Sequence, residues 1–72
     1  MPRLPRLSSR DAIRALERLG FSIIRQRGSH IVLRRGSVTC VVPQRSELKL
    51  GTLSSILQQA DVGIEEFVAA TK

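Results

Sequence analysis

The sequence has no tryptophan or tyrosine, and only two phenylalanines, one cysteine and one histidine in 72 residues. Phe21 and Phe67 read as core staples, so aromatic platforms for base stacking are poorly supplied. This argues against a single-strand-binding module of the stacking kind. A lone Cys40 excludes an internal disulfide and cannot by itself build a zinc site. Placed among valines, it reads as a small buried hydrophobe. No carboxylate pair sits at a strand end and no His/Asp/Glu cluster is spaced to hold a metal, so neither a metal nor another cofactor is expected. The longest apolar runs, such as Ile31-Val32-Leu33, fall far short of the ~18 residues of a membrane span. The start of the chain, Met1 to Leu7, is basic but has no apolar segment behind it, and does not read as a secretion signal. The expectation is one small cytoplasmic domain that makes no use of a membrane.

Acidic residues are also scarce: six Asp and Glu stand against twelve Lys and Arg, a net charge of +6. Residues 1–45 carry ten arginines against Asp11 and Glu17, a net +8, whereas residues 46–72 sum to −2. So uneven a distribution on so small a body attracts polyanions, and phosphate contacts dominate such binding. Arginine also offers a planar fork for phosphate that lysine lacks.

Residues 1–7, with Pro2 and Pro5, read as an extended arm outside the fold, and residues 8–72 as a single domain. Ser8-Ser9-Arg10-Asp11 resembles a helix-capping start. Ile13, Leu16 and Leu19 share one helical face, and Gly20 follows as the expected left-handed terminator, so a first helix is predicted over about 9–19. Three runs rich in β-branched residues come next, at Phe21–Arg27, His30–Arg35 and Val38–Val42. Gly28-Ser29 and Gly36-Ser37 separate them, each short enough for a tight hairpin. Ile31 and Leu33 fall on one face of the middle strand and His30, Val32 and Arg34 on the other; the flanking strands alternate less cleanly. After Pro43 a polar loop runs to Lys49. Leu53, Ile56 and Leu57 mark a second helix over roughly 50–60, and Ile64–Ala70 a short third one, with Glu65 and Glu66 in its first turn. The resulting α+β order, α-β-β-β-α with a short C-terminal helix, gives a three-stranded antiparallel sheet with the helices on one face. That is the layout of a double-stranded-RNA-binding domain.

His30 stands directly after a Gly-Ser turn, at the start of a strand. Imidazole is the side chain suited to moving protons near neutral pH. RNA is cleaved when a base takes the 2′-hydroxyl proton and an acid supports the departing 5′-oxygen, with cations stabilising the charge on the phosphate. Arg25, Arg27, Arg34 and Arg35 lie on the strands around His30 and can form such a cradle. Gly28 allows close approach of the backbone to a phosphate, and Ser29 can donate a hydrogen bond to it. Arg45 and Lys49 add two cations in the polar loop. The plainer readings are a half-exposed histidine with no role, a simple hairpin turn and a solvated charged face.

Further landmarks occur in a fixed order. Gly20-Phe21 is followed by Arg25-Gln26-Arg27-Gly28-Ser29-His30, then Val42-Pro43, then Glu47-Leu48-Lys49-Leu50-Gly51-Thr52-Leu53. Ile56-Leu57, Gln59-Ala60 and Glu65-Glu66-Phe67 complete the series. Over about residues 9–68 this pattern resembles the HicA family of bacterial toxins, the mRNA interferases of HicAB toxin–antitoxin systems. The resemblance implies a double-stranded-RNA-binding-domain-like fold and a metal-independent endoribonuclease acting on mRNA, with His30 as the catalytic histidine and Gly28 and Ser29 as part of its motif. It also implies a HicB-type antitoxin that covers the active site.

The chain departs from the family pattern in two places. Many members carry a second histidine two residues after the Val-Pro proline, where this sequence has Arg45, a phosphate binder that cannot act as a base. Asp61 replaces the glycine usual after the second helix. Arg45 leaves a second reading open, an RNA-binding module or inactivated toxin that binds RNA or an antitoxin without cutting. A third is a small interaction protein whose basic face meets only an acidic protein.

Overall fold

Ser8 starts the first helix: its hydroxyl accepts a hydrogen bond from the backbone N–H of Asp11 at 3.1 Å in the computed structural model, which describes residues 4–72. Asp11 adds a favourable negative charge to the first turn of α1 (Ser9–Arg18). The helix buries Ala12, Ile13, Ala15 and Leu16. It ends in a Schellman motif, with Phe21 N–H donating to Leu16 O and Gly20 N–H to Glu17 O, each at 3.0 Å. Gly20 has φ +100, and Phe21 folds back into the core beside Leu16.

Strands β1 (Ser22–Arg27), β2 (His30–Arg35) and β3 (Val38–Pro43) form an antiparallel meander in the order β1-β2-β3. Both hairpin turns open on a glycine with positive φ, Gly28 at +56 and Gly36 at +62, followed by a serine with ordinary backbone. This is the Gly-first pattern of type II′ turns, whose twist matches that of the strands. Ile31 pairs with Val42 and Leu33 with Cys40, and all four are buried on the core face. Burial pushes the Cys40 thiol above its ordinary pKa, as expected for a group desolvated among apolar neighbours.

α2 (Leu50–Ala60) lies along β3 and buries Leu53, Ile56, Leu57 and Ala60, while α3 (Ile64–Ala70) packs on α1 and inserts Phe67. Asp61 takes the left-handed position that ends α2, with φ 56, a conformation Asp tolerates better than most residues. Arg18 fastens α3 to α1 by donating to the carbonyl oxygens of Ala70 (2.8 Å) and Lys72 (3.1 Å). Full burial of a side chain such as Leu16 or Phe67 contributes about 1.5–3 kcal/mol, a large share of the stability of so small a domain.

The fold is therefore the expected α+β arrangement of a double-stranded-RNA-binding domain, with one sheet face under helices and the other open. Three details differ from the sequence reading. β3 extends through Pro43, which is tolerated because it is the last residue of an edge strand. All six residues of β1 are exposed, including Ile23 and Ile24, because the helices pack chiefly on β3 rather than on this strand and a bulge at Ile24 interrupts its pairing. Residues 1–3 of the expected arm lie outside the described residues. Of the remainder, Leu4 and Leu7 pack against the core, and Leu48 N–H donates to Leu7 O at 2.7 Å, so this part of the arm is seated on the domain rather than standing off it. No helix among the described residues is long and apolar enough to cross a membrane.

Candidate functional site

Residues paired across an antiparallel sheet point to the same side. With Ile31 and Leu33 turned to the core, the open face of β2 carries His30, Val32 and Arg34. Their partners form three rows: Arg27–His30–Pro43, Arg25–Val32–Val41 and Ser22–Arg34–Thr39. His30 thus sits exposed in the middle of a row, with Arg27 directly beside it and Arg25 one row away. The bulge matters here. By absorbing Ile24 it brings Arg25 and Arg27 onto the open face, whereas without the extra residue the alternation of β1 would be out of phase.

On its other side His30 faces α2. Together they line a shallow groove of about 410 Å³, with Val41, Pro43 and Ile56 as its floor and Thr52, Ser55 and Gln59 on the helix side. Gln59 fixes the helix against the strand edge: its Oε1 accepts the Val41 N–H at 3.1 Å. A second crease, about 200 Å³, adjoins the first and shares Pro43 and Thr52 with it. Arg45, Glu47 and Lys49 line this one. A larger crease of about 480 Å³ lies between α2 and α3, but its only ionisable lining residue is Asp61, and neither His30 nor any arginine lines it.

The loop that carries Arg45 is tied to the His30 turn from two directions. Gln44 N–H donates to Ser29 O at 2.6 Å, and Gln26 Nε2 reaches Gly28 O and Gln44 Oε1, each at 3.4 Å. From below, the buried Ser9 hydroxyl lies 2.6 Å from Pro43 O and 3.0 Å from Arg45 O, and it accepts the Arg45 N–H at 2.5 Å. Ser9 N–H donates to Arg45 O as well, at 3.0 Å. The start of α1 therefore holds the Pro43–Arg45 segment, and that segment holds the turn before His30.

Among the residues singled out from sequence, His30, Gly28, Ser29, Arg25, Arg27, Arg45 and Lys49 gather around this corner of the sheet. Arg34 lies four residues along β2 from His30, about 13 Å away, at the far end of the open face. Arg35 is used otherwise: its guanidinium donates to Leu19 O at 2.8 Å and stacks 4.7 Å from the centre of the Phe21 ring, clasping the end of α1. Sequence reasoning passed over Ser9, Gln59, Thr52 and Ser55. A serine pair before a helix signalled a cap but not which serine caps. The polar residues of α2 look like any solvated helix face until the strand beside them is known.

Residues 9–62 match the family model described as HicA toxin of bacterial toxin-antitoxin. The chain belongs to the HicA toxin family. The match begins at Ser9, the anchor of the Pro43–Arg45 segment, takes in the whole sheet with His30, and ends just past α2, leaving α3 outside it. No curated protein matches the chain. Membership makes this the toxin of a toxin–antitoxin pair and implies a partner antitoxin.

Proposed function

We propose that this HicA-family toxin is a metal-independent endoribonuclease that cleaves mRNA, with His30 as its general acid or base. The observation that supports this most is the position of His30: exposed, beside Arg27 in the row of the open face nearest the hairpin turn, at the mouth of a groove. In the proposed reaction the 2′-oxygen of a ribose attacks the adjacent phosphorus, and the bond from phosphorus to the 5′-oxygen breaks. The products are a 2′,3′-cyclic phosphate and a free 5′-hydroxyl. His30 takes the 2′-hydroxyl proton or delivers one to the leaving oxygen; water serves the other transfer. Arg25 and Arg27 hold the phosphate from the sheet, Gly28 and Ser29 approach it from the turn, and Arg45 and Lys49 bind the strand beyond it. Arg34, at the far end of the face, contacts phosphates further along the chain. A HicB-type antitoxin with an acidic surface covers this face and blocks access of RNA.

Arg45, standing where many family members have a histidine, favours a second reading, a toxin that binds RNA without cutting it. Digestion of a long single-stranded RNA in EDTA separates the two. The first reading predicts fragments ending in 2′,3′-cyclic phosphate and 5′-hydroxyl groups, whereas salt-dependent binding with no fragments supports the second.

A further inference from the structure

We propose that the groove between α2 and β3 is a base-binding subsite that takes one unpaired nucleobase of the RNA, next to the phosphate at His30. The inference rests on the reading of His30 as the group that acts on RNA.

The two adjoining grooves differ in chemistry. Arg45, Glu47 and Lys49 line the smaller one, whereas the His30 groove has no carboxylate, lysine or arginine in its lining. Phosphates are held where the cations are, on the sheet face and in the smaller crease. What remains for the larger groove is the uncharged part of a nucleotide. Val41 and Pro43, both half-buried, offer apolar surface for the face of a base, and Thr52, Ser55 and Gln59 offer neutral donors and acceptors for its edge. The volume of about 410 Å³ lies within the usual range of small-ligand sites.

The polar rim is arranged to read such an edge. Thr52, Ser55 and Gln59 are spaced i, i+3 and i+7, which puts them in one stripe over two turns, about 10 Å long. The Gln59 amide is oriented before any ligand arrives, because Oε1 accepts the Val41 N–H at 3.1 Å and Nε2 reaches Ser55 Oγ at 3.4 Å. One amide hydrogen and the serine hydroxyl remain for a base. Without Trp or Tyr in the chain, hydrogen bonding rather than aromatic stacking provides the discrimination. The subsite therefore makes cleavage depend on the base beside the scissile bond.

The test is a map of cleavage positions in one defined transcript for wild type, Ser55→Ala and Thr52→Val. The readout is the ratio between strong and weak sites within each digest, which does not depend on how much of a variant is folded. Loss of one base contact shifts that ratio about 3- to 10-fold. An unchanged pattern, with every site slowed alike, overturns the proposal. If the wild type does not cut, the endonuclease reading fails, and the subsite is then tested by binding of four 2′-O-methyl RNA tetranucleotides differing in base. A base-dependent affinity that Ser55→Ala levels supports the subsite; equal affinity of the wild type for all four overturns it.

Discussion

The hydroxyl of Ser9, in the first turn of α1, lies 2.6 Å from the carbonyl oxygen of Pro43, the residue paired with His30 across the sheet. The two are 34 residues apart in sequence. Ser9 is also the one buried polar residue among the described residues, and its hydroxyl and amide together satisfy both backbone groups of Arg45. A buried hydroxyl with this many partners is costly to remove, because the partners stay behind without it.

Ser9→Ala leaves the carbonyl of Pro43 and the amide of Arg45 short of a partner. The expected loss is about 1–3 kcal/mol, which in a domain of this size lowers the melting temperature by about 4–8 °C per kcal/mol. RNA cleavage should fall further than the folded fraction accounts for, since the Gln44–Ser29 link moves with the loop. Thermal melts alongside cleavage rates at a temperature where both proteins are folded check this.

The two hairpin glycines make a matched pair. Gly28 and Gly36 have nearly the same positive φ, and no atom beyond the adjoining residues lies within 4 Å of where a Cβ would stand on either. Alanine at each therefore costs backbone strain alone, about 1–2 kcal/mol. Gly28→Ala and Gly36→Ala should destabilise the protein about equally, but only the first displaces the turn that carries His30. Cleavage lost in Gly28→Ala and kept in Gly36→Ala is the expected outcome, with calorimetry confirming equal stabilities.

The open-face arginines and the half-buried Arg35 act through different physics. Arg25→Gln and Arg27→Gln should each lower the slope of log affinity for single-stranded RNA against log salt by about 0.7, the value for one lost phosphate contact. Arg35→Gln should leave that slope unchanged and reduce the melting temperature instead, because its guanidinium serves Leu19 O and the Phe21 ring. Salt titrations of RNA binding for the three variants decide the matter.

The helices and hairpins were legible because their signals are local: the Ile13-Leu16 stripe, the Gly-Ser turns, the Leu53-Ile56-Leu57 stripe. The mixed alternation of β1 was not, since a bulge at Ile24 and helices that pack chiefly on β3 remove the pattern that burial would impose. In the site, the residues read from the chain were those carrying charge or an imidazole, together with Gly28 and Ser29 of the turn before His30. Ser9 and Gln59 stayed hidden because their roles depend on partners 36 and 18 residues away, which no spacing rule reveals. Arg35 looked equivalent to Arg34 until the Phe21 ring was seen beneath it.

The central claim is that His30 performs the chemistry, and its most direct test is the cleavage rate of a long single-stranded RNA by wild type and His30→Ala, with RNA binding measured in the same EDTA-containing buffer. Loss of a general acid or base predicts a fall of about 100-fold or more, with salt-dependent binding still present in the variant. Equal cleavage by the two proteins would contradict the assignment of His30.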